Sequence, residues 1–445
     1  MASLSCNGYN SNLYTGTAPP GSNFRRVFVS DPVFPTTTGA SIPALVVVDG
    51  SADLISASTV PLTTVGSSIN GAGMLAVSPK RDRTLVFSAP DNKLGIVTNS
   101  SESLASAITL PGPTESFSWI DNSTAIVAVP SAPPPGLGQP PGVVLEFDIP
   151  SGSTIASIPI PGAHYVVPSP DGSKALVFSD NSNALTLITR ALIGSNQSST
   201  IQACGPSQTA ACTLAGFDRP VGAVFDRSGS TAYILNCGPQ CGGTGVGACL
   251  TFTLCTSVSV VDLTQNPPVL VNSVPVPAAS VALLQGSSLY VAGTPTLASD
   301  NNCNGVTPTT TATTCGRLSL VNIQSLAVSS VPITDGYHTR MALTADGQLF
   351  VGSRNCTSID VSGGEVRGCL TIANVSSGSL ASSNIIAPPD NGDVTGIEPI
   401  TNRNIVYVCE GGKLRVYDTT TDQLENLQFP PQITGQAVDV RMADF

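Results

Sequence analysis

The chain has 445 residues, and 18 basic against 29 acidic residues leave a formal net charge of −11. An acidic chain without a basic cluster is a poor match for nucleic acid or for an anionic membrane surface, so neither partner is expected. No apolar run approaches the length of a transmembrane helix, and a hydrophobic fraction of 41% is too high for a disordered chain.

The N-terminal residues 1–24 are interpreted as a flexible segment, and residues 25–445 as a single domain. Within the first segment, "SLSC" resembles the end of a bacterial lipobox, in which the cysteine, here Cys6, becomes the lipidated first residue. That interpretation predicts a lipid anchor at Cys6. The alternative is an unpaired thiol in an unstructured N-terminus.

Two kinds of short apolar run alternate from residue 26 to the end of the chain. The first kind reads "RVFVSD", "TLVFSA", "AIVAVP", "ALVFSD", "AYILNC", "LYVAGT", "LFVGSR" and "IVYVCE". The second reads "LVVVDG", "LGIVTN", "VLEFDI", "LTLITR", "VSVVDL", "LSLVNI", "LTIANV" and "LRVYDT". Both kinds are short, rich in β-branched residues and bounded by turn residues, so they predict strands, and no helical period competes with them.

Two further strands complete each repeat. A strand and a tight glycine turn precede most runs of the first kind, as in "YVVPSPDGSK", and a fourth strand follows the second kind, as in "TIASIPIPG". Each unit is therefore a four-stranded antiparallel meander, with strands A to D, and such a repeat is typical of a propeller blade. We predict an all-β, eight-bladed β-propeller, with seven blades as the alternative if one weakly patterned unit is misread.

The first unit lacks an A strand, and the last is followed by a leftover strand, "QAVDVRMADF". Pairing that C-terminal strand with the first unit closes the ring and covers two sheet edges. We therefore expect the C-terminal strand to become strand A of the first blade.

The stretch "SPDGSKALVFSDNSNALTLI" resembles the YVTN family of β-propellers, in which such a turn and the two strand types recur. The resemblance covers about residues 25 to 445 and implies the propeller fold. That superfamily includes surface proteins, lactonases, lyases and scaffolds, so the resemblance implies no single activity.

The long insertions fall almost entirely in the connections between strands B and C. In an antiparallel meander these connections lie on one face of the disc together with the D–A connections; we call this the B–C face. The opposite A–B face carries the A–B and C–D turns, which are short. Long loops on one face are what a recognition surface requires.

The twelve cysteines predict five disulfides that brace these loops and two unpaired thiols, at Cys6 and Cys409. A nested hairpin suits Cys237 with Cys255 and Cys241 with Cys249, and the other expected pairs are Cys303–Cys315, Cys356–Cys369 and Cys204–Cys212, the last in the D–A connection between units 4 and 5. The C-x3-C-x7-C-x5-C spacing lacks the C-x2-C pairs of zinc sites and has no nearby histidine, so neither a metal nor a cofactor is expected. This cysteine usage predicts an extracytoplasmic location: secreted, periplasmic or on the cell surface.

Polar residues at the entries to several A strands are the candidates for a ligand site at the mouth of the central channel. They are Glu115, His164, Asp218, Arg219, His338, Arg340 and Asp393. A histidine beside carboxylates and arginine can act as an acid–base group or bind an anion, although loop ends are polar for solvation alone.

Three functions fit this sequence. The favoured one is a non-enzymatic binding or cell-surface scaffold protein that holds a protein or carbohydrate ligand on its disulfide-braced B–C face. The second is a lactonase- or lyase-like enzyme at the channel mouth, for which no nucleophile or catalytic constellation is evident. The third is a structural subunit that assembles with itself into a surface layer or filament through apolar contacts of the outer D strands.

Overall fold

The computed structural model describes residues 25–62, 73–89, 91–134, 136, 138–193, 201–207, 209–243, 256–295, 316–356, 368–388, 392–425 and 431–443. The segment 1–24, with Cys6, lies outside them, as do Cys249, Cys255, Cys303 and Cys315. The described residues form eight antiparallel blades, so the predicted all-β, eight-bladed propeller is confirmed and the seven-bladed alternative is wrong.

The strands follow one another with short breaks. In the first half they are β1 (Arg26–Pro35), β2 (Ser41–Asp49), β3 (Leu54–Pro61), β4 (Leu75–Val77), β5 (Arg83–Ser88), β6 (Lys93–Thr98), β7 (Ser103–Thr109), β8 (Ser116–Trp119), β9 (Thr124–Val129), β10 (Val143–Asp148), β11 (Ser153–Pro159), β12 (Ala163–Pro168), β13 (Lys174–Ser179), β14 (Ala184–Thr189), β15 (Gln202–Ala203) and β16 (Ala211–Ala215).

In the second half they are β17 (Pro220–Phe225), β18 (Thr231–Asn236), β19 (Thr256–Asp262), β20 (Val269–Val276), β21 (Val281–Gln285), β22 (Ser288–Gly293), β23 (Gly316–Asn322), β24 (Val328–Ile333), β25 (Tyr337–Leu343), β26 (Gln348–Arg354), β27 (Leu370–Asn374), β28 (Ile385–Ile386), β29 (Val394–Pro399), β30 (Ile405–Glu410), β31 (Lys413–Asp418), β32 (Gln423–Leu424) and β33 (Val440–Met442). Among the described residues, three short 3-10 helices span Arg190–Leu192, Gly238–Cys241 and Ser382–Asn384. No helix in the described part of the chain has the length and hydropathy to cross a membrane.

Blade 1 consists of β33, β1, β2 and β3, and blades 2 to 8 follow in chain order, each beginning with its A strand. The A strands β33, β4, β8, β12, β17, β21, β25 and β29 each contact the next, and β29 contacts β33, so they form the inner ring. Every blade is covered on both faces by its neighbours, which explains why the B and C strands are apolar at consecutive positions rather than alternating.

The ring closes through the C-terminal strand, as expected from the sequence. Val27, Phe28 and Val29 of β1 pair with Met442, Arg441 and Val440 of β33. Residues beyond the ladder strengthen the closure, because the Asp31 carboxylate accepts the Gln436 N–H at 2.9 Å.

Adjacent blades are joined by apolar clusters and by a few polar contacts. Trp119 of blade 3 is buried, and its indole N–H donates to the carbonyl of Ala76 in blade 2 at 2.9 Å. On the A–B face, Arg403 of blade 8 makes a bidentate ion pair with Asp53 of blade 1, with both N···O distances 2.6 Å. Such paired contacts hold the disc together away from the loop-bearing face.

Two blades depart from the regular meander. In blade 1, β1 and β2 continue past a bulge after Asp31 as a long hairpin. In blade 4, β16 is the D strand and β15 adds a fifth strand beside it. The Cys204–Cys212 disulfide therefore joins the C–D connection to strand D at the outer edge of blade 4, and the expected D–A position is wrong. The insertion sits one connection earlier because strand D begins only at Ala211.

Candidate functional site

The end of each B strand lies beside the start of its A strand on the B–C face. In blades 4, 5, 7 and 8 the A–B pairing shifts there by one residue, which makes His164, Val221, Thr339 and Thr395 the extra residues of β-bulges. A bulge redirects the side chains around it and is common next to binding sites.

His164 lies between two carboxylates at this position in blade 4. Its Nε2 is 3.2 Å from Glu115 Oε2, and its Nδ1 is 2.5 Å from Asp180 Oδ1. The imidazole is mostly buried, with 17% of its surface exposed, whereas the side chains of Glu115 and Asp180 are 33% and 51% exposed. We call Glu115, His164 and Asp180 the His164 cluster.

Three elements position this cluster. Glu115 directly precedes β8, whose first residue, Ser116, accepts the backbone N–H of Val166 in β12 at 2.9 Å and so fixes blade 3 against blade 4. Asp180 directly follows β13, and its own N–H donates to the carbonyl of Gly162 at 2.9 Å. The cluster therefore rests on strand ends rather than on free loops.

The two carboxylates favour a protonated His164. Burial by itself lowers the pKa of the imidazole, but its hydrogen bond to Glu115, together with the charge of Asp180 and the hydrogen bond to it, outweighs burial, so the pKa is raised above 6.5. Because both ring nitrogens face acceptors, the imidazolium satisfies both carboxylates at once. In that form it has neither a free lone pair nor a spare N–H.

Arg219 lies beside the His164 cluster, at the entry to blade 5. Its backbone N–H donates to Asn183 Oδ1 at 3.3 Å, three residues after Asp180, and its Nη2 donates to the carbonyl of Gly242 at 3.2 Å. The carbonyl of Asp218 accepts the N–H of Gly238, so this entry is bonded to the short helix Gly238–Cys241. Two of the seven candidates, Glu115 and His164, are thus in direct contact, and two more border the same region.

His338 is a core residue and not a group at the channel mouth. It is fully buried, its Nε2 lies 2.9 Å from the carbonyl of Thr334, and its Nδ1 lies 3.5 Å from Thr294 Oγ1. Burial lowers its pKa to about 4, against small opposing effects of the Thr334 carbonyl and Asp335. The ring is therefore neutral at physiological pH, and its side chain bonds blade 6 to blade 7.

Arg340 and Asp393 are structurally separate from the His164 cluster, since they belong to blades 7 and 8. Arg340 is 5% exposed, and its Nε donates to the carbonyl of Thr395 at 2.6 Å. The Asp393 carboxylate accepts the N–H of Asn355 at 3.2 Å and so ties the B–C connection of blade 7 to blade 8.

The disulfides match the predicted pattern only in part. Cys204–Cys212 and Cys356–Cys369 are confirmed as pairs, and Cys409 is a buried free thiol whose pKa is raised by burial. The nested hairpin is wrong, because Cys237 pairs with Cys241 and leaves neither for Cys255 or Cys249. The 3-10 turn Gly238–Cys241 folds the chain straight back onto the end of β18, which a spacing argument based on a hairpin does not anticipate.

One group of potential metal ligands occurs among the described residues: Asp335, Cys356 and Cys369. The two sulfur atoms are bonded to each other, so neither is a thiolate able to coordinate a metal. The contact of 3.0 Å between Cys356 Sγ and Asp335 Oδ1 is accordingly a sulfur–oxygen contact without a shared proton.

Sequence reasoning missed Asp180 and Asn183. Asp180 ends the run "ALVFSD" and is the sixth residue of the first repeat type, a position that falls on the B–C face in every blade. That repeat position, read together with the A-strand entry next to it, is the signal that would have found it.

No protein-family model matches the chain, and a search of curated proteins finds no match. Solved structures are similar in fold. Dihydro-heme d1 dehydrogenase NirN, in complex with DHE, has a TM-score of 0.59 at 12% identity over 96% of this chain and 77% of its own. Hydrazine synthase from Kuenenia stuttgartiensis has a TM-score of 0.51 at 13% identity over 79% of this chain and 97% of its own.

A functionally unknown protein from Desulfotomaculum acetoxidans DSM 771 has a TM-score of 0.50 at 13% identity, over 95% of this chain and 99% of its own. Identities this low show a shared propeller fold and carry no activity over to this chain.

Proposed function

We propose that this protein is an extracytoplasmic, non-enzymatic binding propeller that holds its ligand at the His164 cluster on the B–C face. The observation that carries the proposal is the imidazole with a carboxylate on each ring nitrogen. A catalytic base needs a free lone pair and a catalytic acid a spare proton, and an imidazolium bonded to both Glu115 and Asp180 has neither. The histidine instead holds the two carboxylates in place.

The exposed atoms of the cluster indicate the ligand chemistry. Each carboxylate uses one oxygen on His164, and its second oxygen has no hydrogen-bond partner among the described residues. Carboxylate oxygens only accept hydrogen bonds, so they select a ligand rich in donors. The hydroxyl groups of a carbohydrate meet this requirement, and prior fixation of the two acceptors lowers the entropy cost of binding.

A glycan array probed with the labelled protein tests the proposal, followed by titration calorimetry with the saccharides that bind. Glu115→Gln and Asp180→Asn should each weaken binding by about tenfold or more, which corresponds to loss of one charge-assisted hydrogen bond. Asp262→Asn is the matched control, because it removes an exposed carboxylate from the C–D turn of blade 5 on the opposite face. No binding to any saccharide, or equal losses in all three variants, would contradict the proposal.

A structural role has one observation in its favour. Nearly all large apolar side chains that are exposed in the described part of the chain lie on outer D strands: Leu54, Ile55, Ile155, Val269, Leu270, Val271, Val328 and Leu424. Three of them are consecutive on β20, and an exposed apolar edge strand favours pairing with another chain. If self-assembly is the function, light scattering should show a mass that rises with concentration, and Val271→Lys should abolish the rise. A monomer at all concentrations rejects this role.

The extracytoplasmic location is supported by the disulfides that the described residues contain: Cys204–Cys212, Cys237–Cys241 and Cys356–Cys369. Alkylation of the protein from its native cells without reductant, followed by mass spectrometry, should leave these six cysteines unlabelled. Labelling of all six would place the protein in a reducing compartment.

A further inference from the structure

Three arginines come together with the carboxylates of Asp439 and Glu398 at the junction of blades 7, 8 and 1. Arg340 belongs to β25, Arg441 to β33, and Asp439 directly precedes β33. These three side chains are deeply buried, with 5%, 4% and 1% of their surfaces exposed. Arg354, at the end of β26, is half-buried and opens towards the B–C face.

Strand register places Arg354 and Arg340 on the same side of blade 7. Arg340 pairs with Gly352 of β26, and Arg354 is two residues further along that strand. Residues directly opposite each other, and residues two apart on one strand, share a sheet face. A Cβ at Gly352 would lie 2.3 Å from Val394 Cγ1, so this glycine lets β29 of blade 8 pack closely against blade 7 next to Arg340.

Strand β29 of blade 8 connects Arg340 to Arg441. The Arg340 Nε donates to the carbonyl of Thr395 at 2.6 Å. The next residue, Gly396, lies so close to blade 1 that a Cβ there would be 2.8 Å from Asp439 Oδ1. Asp439 Oδ1 in turn lies 3.1 Å from Arg441 Nη1, so residues 395–396 are flanked by Arg340 on one side and by Asp439 and Arg441 on the other.

Both oxygens of the Asp439 carboxylate are already engaged. Asp439 Oδ1 accepts from Arg441 and from the N–H of Val440, and Oδ2 accepts the N–H of Leu75 in blade 2 at 3.0 Å. The second carboxylate, Glu398 of β29, lies near Arg441 and likewise accepts a backbone N–H, at 3.1 Å. The three guanidinium groups of this junction therefore outnumber its two carboxylates. Positive charge is in excess here, in a part of the protein that excludes most water.

Several donors of this group lack a partner. Arg340 Nη1 and Arg354 Nε are buried and have no hydrogen-bond partner among the described residues, and the same is true of Thr339 Oγ1 next to Arg340. Buried polar groups are nearly always satisfied, so unpaired donors gathered around excess positive charge indicate a missing acceptor. By contrast, Arg403 on the A–B face donates to both oxygens of Asp53.

We propose that this junction is a binding site for a small oxyanion, which accepts hydrogen bonds from Arg340 and Arg354 and enters from the B–C face. A planar guanidinium matches the paired oxygens of a phosphate, sulfate or carboxylate group. The anion neutralises the excess charge and occupies the place where blades 7, 8 and 1 meet, so it also strengthens the closure of the ring.

The electrostatics of Arg340 agree with this assignment. Burial and the nearby charges of Arg441 and Arg354 lower the pKa of its guanidinium to about 10, although Asp439 acts in the opposite direction. Arg340 thus remains charged at neutral pH. Its burial and the repulsion from two like charges are unfavourable, and a bound anion reduces both effects.

Titration calorimetry at pH 7.5, with sodium phosphate, sulfate or acetate added at constant ionic strength in chloride buffer, tests the proposal. We expect one saturable site for at least one of these anions and a melting temperature that rises with its concentration. Arg340→Lys keeps a positive charge but loses the unpaired Nη1 donor, and it should weaken the affinity by about tenfold or more. Arg354→Gln, at a half-buried position, should also weaken it.

Arg190→Lys is the matched control, because Arg190 already has a carboxylate partner in Glu146. It should bind the anion as the native protein does, and so should Glu115→Gln, which separates this site from the His164 cluster. Absence of saturable binding for all three anions would overturn the proposal. Equal weakening by Arg190→Lys and Arg340→Lys would do so as well, since it indicates a general charge effect.

Discussion

Blades 4 and 7 share the same local features but use them differently. Each A strand carries a histidine beside a β-bulge, and each blade contains a disulfide. His164 is itself the extra residue of the bulge, whereas His338 is the residue before it and corresponds to the fully buried Ala163. A shift of one residue along a strand exchanges its faces, so one imidazole reaches the channel mouth and the other lies between blades.

The two histidines also differ in the side chain that the preceding blade places beside them. Blade 3 offers His164 the carboxylate of Glu115, whereas blade 6 offers His338 the hydroxyl of Thr294. The pKa of His164 is therefore raised, which favours its protonated form, whereas burial lowers the pKa of His338 to about 4 and keeps that ring neutral. The protonation state of a side chain in this propeller depends on the residues that adjacent blades place around it.

The two histidines should differ most in the stability that is lost when each is replaced by alanine. His338→Ala leaves a cavity and an unpaired Thr334 carbonyl in the core, and we expect it to lower the free energy of unfolding by about 3–5 kcal/mol. His164→Ala, at a partly exposed site, should cost about 1 kcal/mol or less. Urea unfolding at pH 7.5 measures both. His338→Gln, which retains an amide donor for Thr334, should recover part of the loss; similar costs at the two histidines would show that the comparison is wrong.

The two histidines should also differ in their response to acid. His338 is neutral in the folded protein down to a pKa of about 4, while the unfolded chain takes up the proton near 6.5. Its contribution to stability is thus present above pH 6.5 and is lost as the pH falls towards 4, by about 3 kcal/mol. The stability of the native protein relative to His338→Gln should fall by this amount over that range. A difference that stays constant from pH 6.5 to 4 would contradict the buried, neutral state.

The disulfides extend the comparison. Replacing Cys356 and Cys369 by alanine opens a loop with a sequence separation of 13, and replacing Cys204 and Cys212 opens one of 8. From loop-closure entropy, each disulfide should stabilise the folded protein by about 2–3 kcal/mol, with slightly more for the longer loop. The blade 7 pair should cost more in thermal denaturation, because Cys356 and Cys369 are buried under the B–C face whereas Cys204 and Cys212 lie at an outer edge. The reverse order would indicate that the edge of blade 4 is the weaker point.

The smallest effect should come from the alkaline titration of His164. Its folded pKa is raised, so its contribution to stability is present below pH 6.5 and is lost as the pH rises through the folded pKa. As the pH rises, the free energy of unfolding of the native protein should fall by less than about 1 kcal/mol relative to that of His164→Gln. The effect is small because Asp180 is half exposed and solvent screens the pair. NMR titration of the imidazole should show a lower pKa in Asp180→Asn, and an unchanged pKa would remove Asp180 from the cluster.

The sequence predicted the repeating architecture because each blade is encoded locally. Apolar runs of six residues, glycine turns and one leftover strand were enough for eight blades and for closure by β33. Disulfides were predictable where two cysteines flank a single excursion, as with Cys356 and Cys369. The predicted partner of Cys237 was wrong because four cysteines in one loop allow several connectivities. The tight turn after β18 selects the Cys237–Cys241 pair.

The sequence by itself determined the strands, their order and the face on which polar residues gather, since these follow from residue patterns within one repeat. Only the tertiary structure decided which candidates meet: Glu115 with His164 and Asp180, and Arg340 with Arg441 and Asp439. These contacts join residues of different blades, and they depend on the position of a bulge relative to a side chain. A shift of one residue at a bulge leaves no mark on the apolar pattern, so the site had to be found in the folded ring.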